Sequence, residues 1–153
     1  MLVREWTFIG AVRAIVAAED QRSWWHFGFD PISGASAVKD QFGNGRGRGA
    51  STITMQLIKN LYDPSAGRTI SKKIEEAYLA FQYEKKFTKD EILTKYLNGV
   101  FYGQNAIGVQ AASLTYFDKD VSEISLTQAA LLAGLPQAPS SYNPFARPEA
   151  ARE

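Results

Sequence analysis

The chain is expected to be all-α. Apolar residues recur at the three-to-four spacing of helices, and two capping boxes, Thr88-x-x-Glu91 and Ser125-x-x-Gln128, open apolar runs. No alternating run is long enough to make a sheet strand. No internal repeat is visible, so the 153 residues are expected to form a single domain large enough for a real core.

The elements follow in order. Phe8, Ile9, Val12, Ile15 and Val16 predict a buried helix over residues 7–18, ending at Glu19. Residues 28–50 are rich in Gly and Ser and read as a loop. Ser51 to Leu61 reads as a second helix, capped by Ser51 or Thr52 and stopped by Asp63-Pro64. Ser71 to Phe87 is a third. Thr88 opens a fourth, which closes at Asn98-Gly99. Asn105 to Phe117 is a fifth, closely packed because it is rich in Ala and Gly. Ser125 caps a sixth that stops before Pro136, and Pro148 can open one more near the end.

Apolar residues make up 45% of the chain and charged residues 22%, which argues against disorder. The absence of Cys excludes disulfides and thiolate metal sites. A net charge of +1 implies no particular partner, but residues 46–89 carry nine basic against four acidic side chains. A basic middle in a neutral chain suggests an anionic ligand. No stretch reaches the ~18 apolar residues that span a bilayer. The best candidate, FIGAVRAIVAA, is split by Arg13, and no signal peptide is visible.

The chemistry concentrates in a few places. In GASTITMQLIKN, residues 49–60, a Gly feeds a helix that carries Gln56, Lys59 and Asn60 on one face. Donors and a cation at a helix start suit a sugar or a phosphate. Glu19-Asp20 closes the preceding apolar helix, where a carboxylate suits proton abstraction. A helical wheel sets Glu76 opposite Ile70, Ile74, Ala77 and Phe81, and beside Ala80, Tyr83 and Phe87. A helix apolar on two sides is not a surface helix, so Glu76 is expected to face a cleft, with Glu75 pointing elsewhere. His26, the sole histidine, reads as a packed, hydrogen-bonded structural residue.

Five runs in order carry a resemblance. They are EDQRSWWHFG, GASTITMQLIKN, KKIEEA, KDEILTKYLNGVFYG and LTQAALLAGLPQAPSSYNP. The chain resembles the peptidoglycan glycosyltransferase domain of class A penicillin-binding proteins and monofunctional transglycosylases. The first three runs match Glu-Asp-x-x-Phe-x-x-His-x-Gly, Gly-Gly-Ser-Thr-Ile-Thr-Gln-Gln-Leu-x-Lys-Asn and Arg-Lys-x-x-Glu-Ala. One such match is weak evidence, but five in sequence over residues 15–144 are highly specific.

The resemblance implies a mainly helical, lysozyme-like fold and a polymerase of lipid II. It implies that Glu19 takes the proton from the 4-hydroxyl of the acceptor N-acetylglucosamine. That oxygen would attack the anomeric carbon of the donor N-acetylmuramic acid, invert it and expel undecaprenyl pyrophosphate. Trp24 and Trp25 are expected to desolvate Glu19 and strengthen it as a base. Glu76 matches the second catalytic carboxylate. Asp20, Ser51, Thr52, Gln56, Lys59, Asn60, Arg68, Lys72 and Lys73 match substrate-binding positions, the cations balancing the charge of the leaving pyrophosphate. Tyr96, Leu97, Asn98, Gly103 and Ala111-Ala112 match the fourth run and read as packing. The resemblance implies no protein-held metal and no required cofactor, and leaves room for a divalent cation at the pyrophosphate. It implies lipid II, the growing glycan strand and a membrane surface as partners, and no nucleic acid. It further implies a membrane anchor and a C-terminal transpeptidase domain in a longer chain, and a place on the outer face of the cytoplasmic membrane.

Departures occur at Ser23 for Phe, Met55 for the first Gln of a pair, Lys72 for Arg, Thr94 for Glu, and around Ser36 for an Arg. Met55 is the most consequential, since it replaces an amide that could bond a sugar hydroxyl or a phosphate oxygen. Three other readings compete. A lysozyme-type hydrolase also uses one Glu near a sugar cleft, but its leaving oxygen needs a proton and not a cluster of cations. A noncatalytic module that binds a lipid carrier or the cell wall accommodates the departures. A nucleic-acid binder rests on the basic middle alone and has no reading motif.

Overall fold

The computed structural model describes residues 12–34, 51–62 and 69–151. Six helices of two turns or more occur there: α1 (12–19), α2 (Ile53–Tyr62), α3 (Ile70–Glu84), α4 (Lys89–Gly99), α5 (Val109–Phe117) and α6 (Leu126–Gly134). Short 3₁₀ turns stand at Ser23–Trp25, Val121–Glu123 and Leu135–Gln137, and a single helical turn at 31–34. The sole β feature among the described residues is an isolated bridge between Phe101 and Ile107. The chain is mainly α, as the periodicity requires. Its described residues fall into two compact units: a central one, Arg22–Tyr96, and a terminal one from Met1–Gln21 and Leu97–Glu153.

In the central unit Thr52 resolves the choice of cap for α2. Its Oγ1 accepts from the Met55 amide at 3.2 Å and donates to the Gly28 carbonyl at 2.6 Å. The same hydroxyl thus starts a helix and ties down the loop before it. Thr69 caps α3 by accepting from the Lys72 amide at 3.2 Å. The helix ends at Glu84, three residues short of the expected Phe87. The amides of Lys86 and Phe87 both turn back to the Tyr83 carbonyl, at 2.9 and 3.0 Å, which closes the helix and frees Thr88. Thr88 and Glu91 then form the expected reciprocal cap of α4, with the Thr88 amide 2.8 Å from the Glu91 carboxylate.

α2 packs on α3 through Met55, Ile58 and Ala80, none more than 2% exposed, with Ala77, Leu79 and Tyr83 around them. The loop before α2 approaches the backbone of α3 closely at Ala80. A Cβ on Gly28 would lie 2.5 Å from the Ala80 carbonyl carbon, and Gly28 has φ +80°, so only glycine fits. Beyond it, the Arg22 guanidinium donates through Nε and Nη2 to Asp30 Oδ2 at 2.9 and 2.7 Å. Asp30 Oδ1 accepts the amides of Ile32 and Ser33, which starts the turn at 31–34. One expectation fails on α3. Ile70, Ile74, Tyr78 and Phe81 form an exposed stripe, the first of them 79% exposed. The second apolar side of the helix is therefore not core.

The terminal unit buries Ile15, Val16, Val100, Tyr102, Ala112, Ile124, Leu132 and Leu135. α5 begins at Val109 and not at Asn105. Gly103, Gln104, Asn105 and Gly108 all take positive φ, which breaks the helical path. The Tyr102 amide donates to the Ala106 carbonyl at 2.9 Å across this reversal. α6 carries the expected capping box, and Pro136 falls in the 3₁₀ turn after it. Residues 148–151 form turns, so the extra helix at Pro148 is not seen among the described residues. No helix of the described residues is long and apolar enough to cross a membrane.

The burial of Met55 reverses the expectation for it. At 0% exposure it touches core and not ligand, so Met55→Gln would bury an amide among apolar side chains. It should cost about 1–3 kcal/mol of stability, read as a lower urea or thermal midpoint. Acid should act through Asp30. Burial pushes its carboxyl up, but the bonds from Arg22, Ser33 and the two amides outweigh burial and hold it at about 2. A group depressed in the folded state stabilises above its unfolded value and loses that contribution as pH falls through the folded value. The contribution should therefore fade between pH 3.8 and about 2. Asp30→Asn should flatten the acid limb of the unfolding midpoint in that window.

Candidate active site

The central unit holds a recess of about 120 Å³ between α2 and α3. Ile58, Lys59 and Tyr62 line it from α2, and Lys72, Glu75, Glu76 and Leu79 from α3. On α2 the core residue Met55 is followed one turn on by Lys59, and on α3 the core residue Ala80 is preceded one turn back by Glu76.

Glu76 is the better held of the two carboxylates in the recess. Its side chain is 14% exposed, and Lys73 Nζ lies 2.8 Å from its Oε2. The same ammonium donates to Ser51 Oγ. Lys73 thus links the start of α2 to the middle of α3, and Ser51 serves that link while Thr52 caps the helix. Glu75 does not point elsewhere, as the wheel suggested. It lines the same recess, 58% exposed, with Lys72 at 3.3 Å. Lys59 forms no ion pair among the described residues, which leaves its charge the least neutralised on the recess wall. An anion entering there meets ammonium groups on both helices.

The remaining expected residues are distributed as follows. Thr52 is 2% exposed and its hydroxyl is used by Gly28 and Met55. Gln56 Oε1 accepts from the Tyr96 hydroxyl at 3.1 Å, inside the central unit. Asn60 is exposed at the end of α2. Arg68 and Ser36 lie outside the described residues. Trp24 and Trp25 are 55% and 85% exposed.

The terminal unit contains Glu19 and Asp20. Glu19 is the last residue of α1 and is partly exposed. Asp20 is only 7% exposed, and its amide donates to the Val16 carbonyl at 2.8 Å. Burial pushes the Tyr102 phenol far above its ordinary value, and the negative charge of Glu19 adds to the shift. Its hydroxyl is buried and makes no hydrogen bond among the described residues. A permanently protonated phenol therefore stands within electrostatic reach of Glu19.

Sequence reasoning missed Tyr102 and a second buried charge pair. Glu84, at 3% side-chain exposure, accepts from Thr54 at 2.6 Å and lies 2.7–2.8 Å from Lys89 Nζ. Lys89 also donates to the His26 carbonyl at 2.7 Å. Lys89 opens the fourth run and Glu84 closes α3, so both looked like solvated helix ends. His26 is 8% exposed, a buried side chain.

The transglycosylase family model matches residues 10–153. Penicillin-binding protein 1A of Aquifex aeolicus is 48% identical over 141 residues, covering 92% of this chain and 19% of that protein. Its namesake from Streptococcus oralis is 46% identical over 145 residues, covering 93% and 23%. That of Neisseria lactamica is 44% identical over 155 residues, covering 97% and 19%. The chain thus spans about a fifth of the length of these relatives. With the family pattern running through both units and the helical architecture it requires, the chain belongs to the transglycosylase family, whose members are glycosyltransferases.

Proposed function

We propose that the chain is one peptidoglycan glycosyltransferase domain that polymerises lipid II into glycan strands. The observation that carries this reading is the recess that brings Lys59 and Lys72 together on its wall, with Glu76 held by Lys73. A lipid pyrophosphate leaves with negative charge developing on its bridging oxygen. Fixed ammonium groups stabilise that charge without a proton, which a glycosidase leaving group would need.

In the proposed reaction Glu19 removes the proton of the acceptor 4-hydroxyl. The oxygen forms a bond to the donor anomeric carbon as the bond to pyrophosphate breaks, with inversion at that carbon. The proton ends on Glu19 and the charge on undecaprenyl pyrophosphate. Glu76 has no proton to move in this scheme; it fixes the Lys73 ammonium at 2.8 Å. A divalent cation stays an auxiliary proposal. Among the described residues no group of three carboxylate or imidazole side chains is placed to hold a metal, and Glu75 and Glu76 are each paired with a lysine.

Partners follow from the same reading. Lipid II and the growing strand would occupy the domain, and the exposed Trp24, Trp25, Phe27, Ile70 and Ile74 support a membrane surface as its setting. The domain would work on the outer face of the cytoplasmic membrane, in a longer chain with an anchor and a transpeptidase domain. The noncatalytic reading loses its main support, because Met55 departs from the family pattern in the core and not at a ligand.

Two measurements follow. Glu19→Gln should lower polymerisation of lipid II by about two to four orders of magnitude while the unfolding midpoint holds; near-normal turnover by the folded variant would falsify the base assignment. Glu76→Gln should lower turnover by about tenfold or more, because the amide loosens Lys73. Glu75→Gln should change it less than about threefold, since an exposed pair contributes little. Equal effects of the two would show that burial does not rank these carboxylates.

A further inference from the structure

We propose that Glu84 and Lys89 are positioning residues that clamp the His26–Gly28 segment against α2 and α3 and so fix the recess. Four parts of the central unit meet at this pair. Thr54 reaches Glu84 from α2 at 2.6 Å. Glu84 is the last residue of α3. Lys89 is the first of α4, and its ammonium lies 2.8 Å from Glu84 Oε1 and 2.7 Å from Oε2. The ammonium donates to Glu84 Oε1 and also to the His26 carbonyl at 2.7 Å. Two residues on, the Gly28 carbonyl takes the Thr52 hydroxyl, and Gly28 itself sits on the Ala80 backbone.

The arrangement exceeds what stability alone requires. A buried ion pair gains little over well-packed apolar side chains, since desolvation offsets its attraction. What apolar side chains cannot supply is a directed bond to a carbonyl. The clamp ties the first turn of α2 to the end of α3 at Thr54 and Glu84, and Ser51 and Lys73 tie the start of α2 to the first turn of α3. The recess cations, Lys59 on α2 and Lys72 on α3, are carried by the two helices so joined. A shift of about 1 Å in such groups costs as much as a hundredfold in rate.

The test separates the clamp from simple stability. Lys89→Met leaves the Glu84 carboxylate buried without its cation and should lower the unfolding midpoint. Glu84→Met with Lys89→Met removes both charges and should recover most of that loss. The recovered double variant should still exchange the backbone amides of residues 22–30 at least about tenfold faster than the parent, with the centres of α2 and α3 protected as before. Parental exchange over 22–30 in that variant would overturn the proposal. If Lys89→Met does not fold, the double variant carries the test alone. The activity arm rests on the polymerase reading: the double variant should turn over lipid II about tenfold more slowly than the parent. Parental turnover beside fast exchange would overturn the positioning role. A parent that makes no polymer would sink the polymerase reading and leave the clamp to be decided by exchange.

Discussion

The close approach of Gly28 to the backbone of Ala80 is the constraint on which the central unit depends. It requires glycine at position 28, because a Cβ there would meet the Ala80 and Phe81 backbone. With that contact made, the Thr52 hydroxyl can reach the Gly28 carbonyl while capping α2, and Lys89 can reach His26. A side chain at position 28 would lift the loop, and both bonds would be lost together. The chemistry of the recess therefore rests on a van der Waals distance that carries no charge at all.

Charge in the recess is arranged by degree of neutralisation. Lys73 is committed to Glu76 and Ser51, and Lys72 pairs loosely with an exposed Glu75. Lys59 makes no ion pair among the described residues. A site that had to hold pyrophosphate permanently would leave all three cations uncompensated. One that must bind and release it gains from partial compensation, because each carboxylate competes with the departing anion. On the proposed polymerase reading, the carboxylates of α3 would serve turnover as much as binding.

What was legible in the sequence was local. Caps at Thr88-Glu91 and Ser125-Gln128 join residues three apart, so a linear reading found both. The stop of α3 was missed because two amides share one carbonyl at Tyr83, and no residue type marks that. The start of α5 was missed because Gln104 and Asn105 take positive φ beside two glycines. In the site, Glu76 could be found from its helix face, but its tie to Ser51 spans 22 residues and has no periodic trace. Met55 misled for a related reason. A motif position says which residue is unusual, while only packing says whether it faces ligand or core.

The span of the Lys89–His26 bond has a consequence for the order of folding. It joins residues 63 apart, whereas Lys73–Glu76 and Glu84–Lys89 close within five. Closing a long loop costs chain entropy that short-range contacts do not meet, so local helices and caps form first. The carbonyl of His26 is then captured late, by an ammonium already oriented by Glu84. The segment around His26 would be among the last parts of the central unit to find its place, and a nascent chain would form its helices before it acquired the bond from Lys89 to His26.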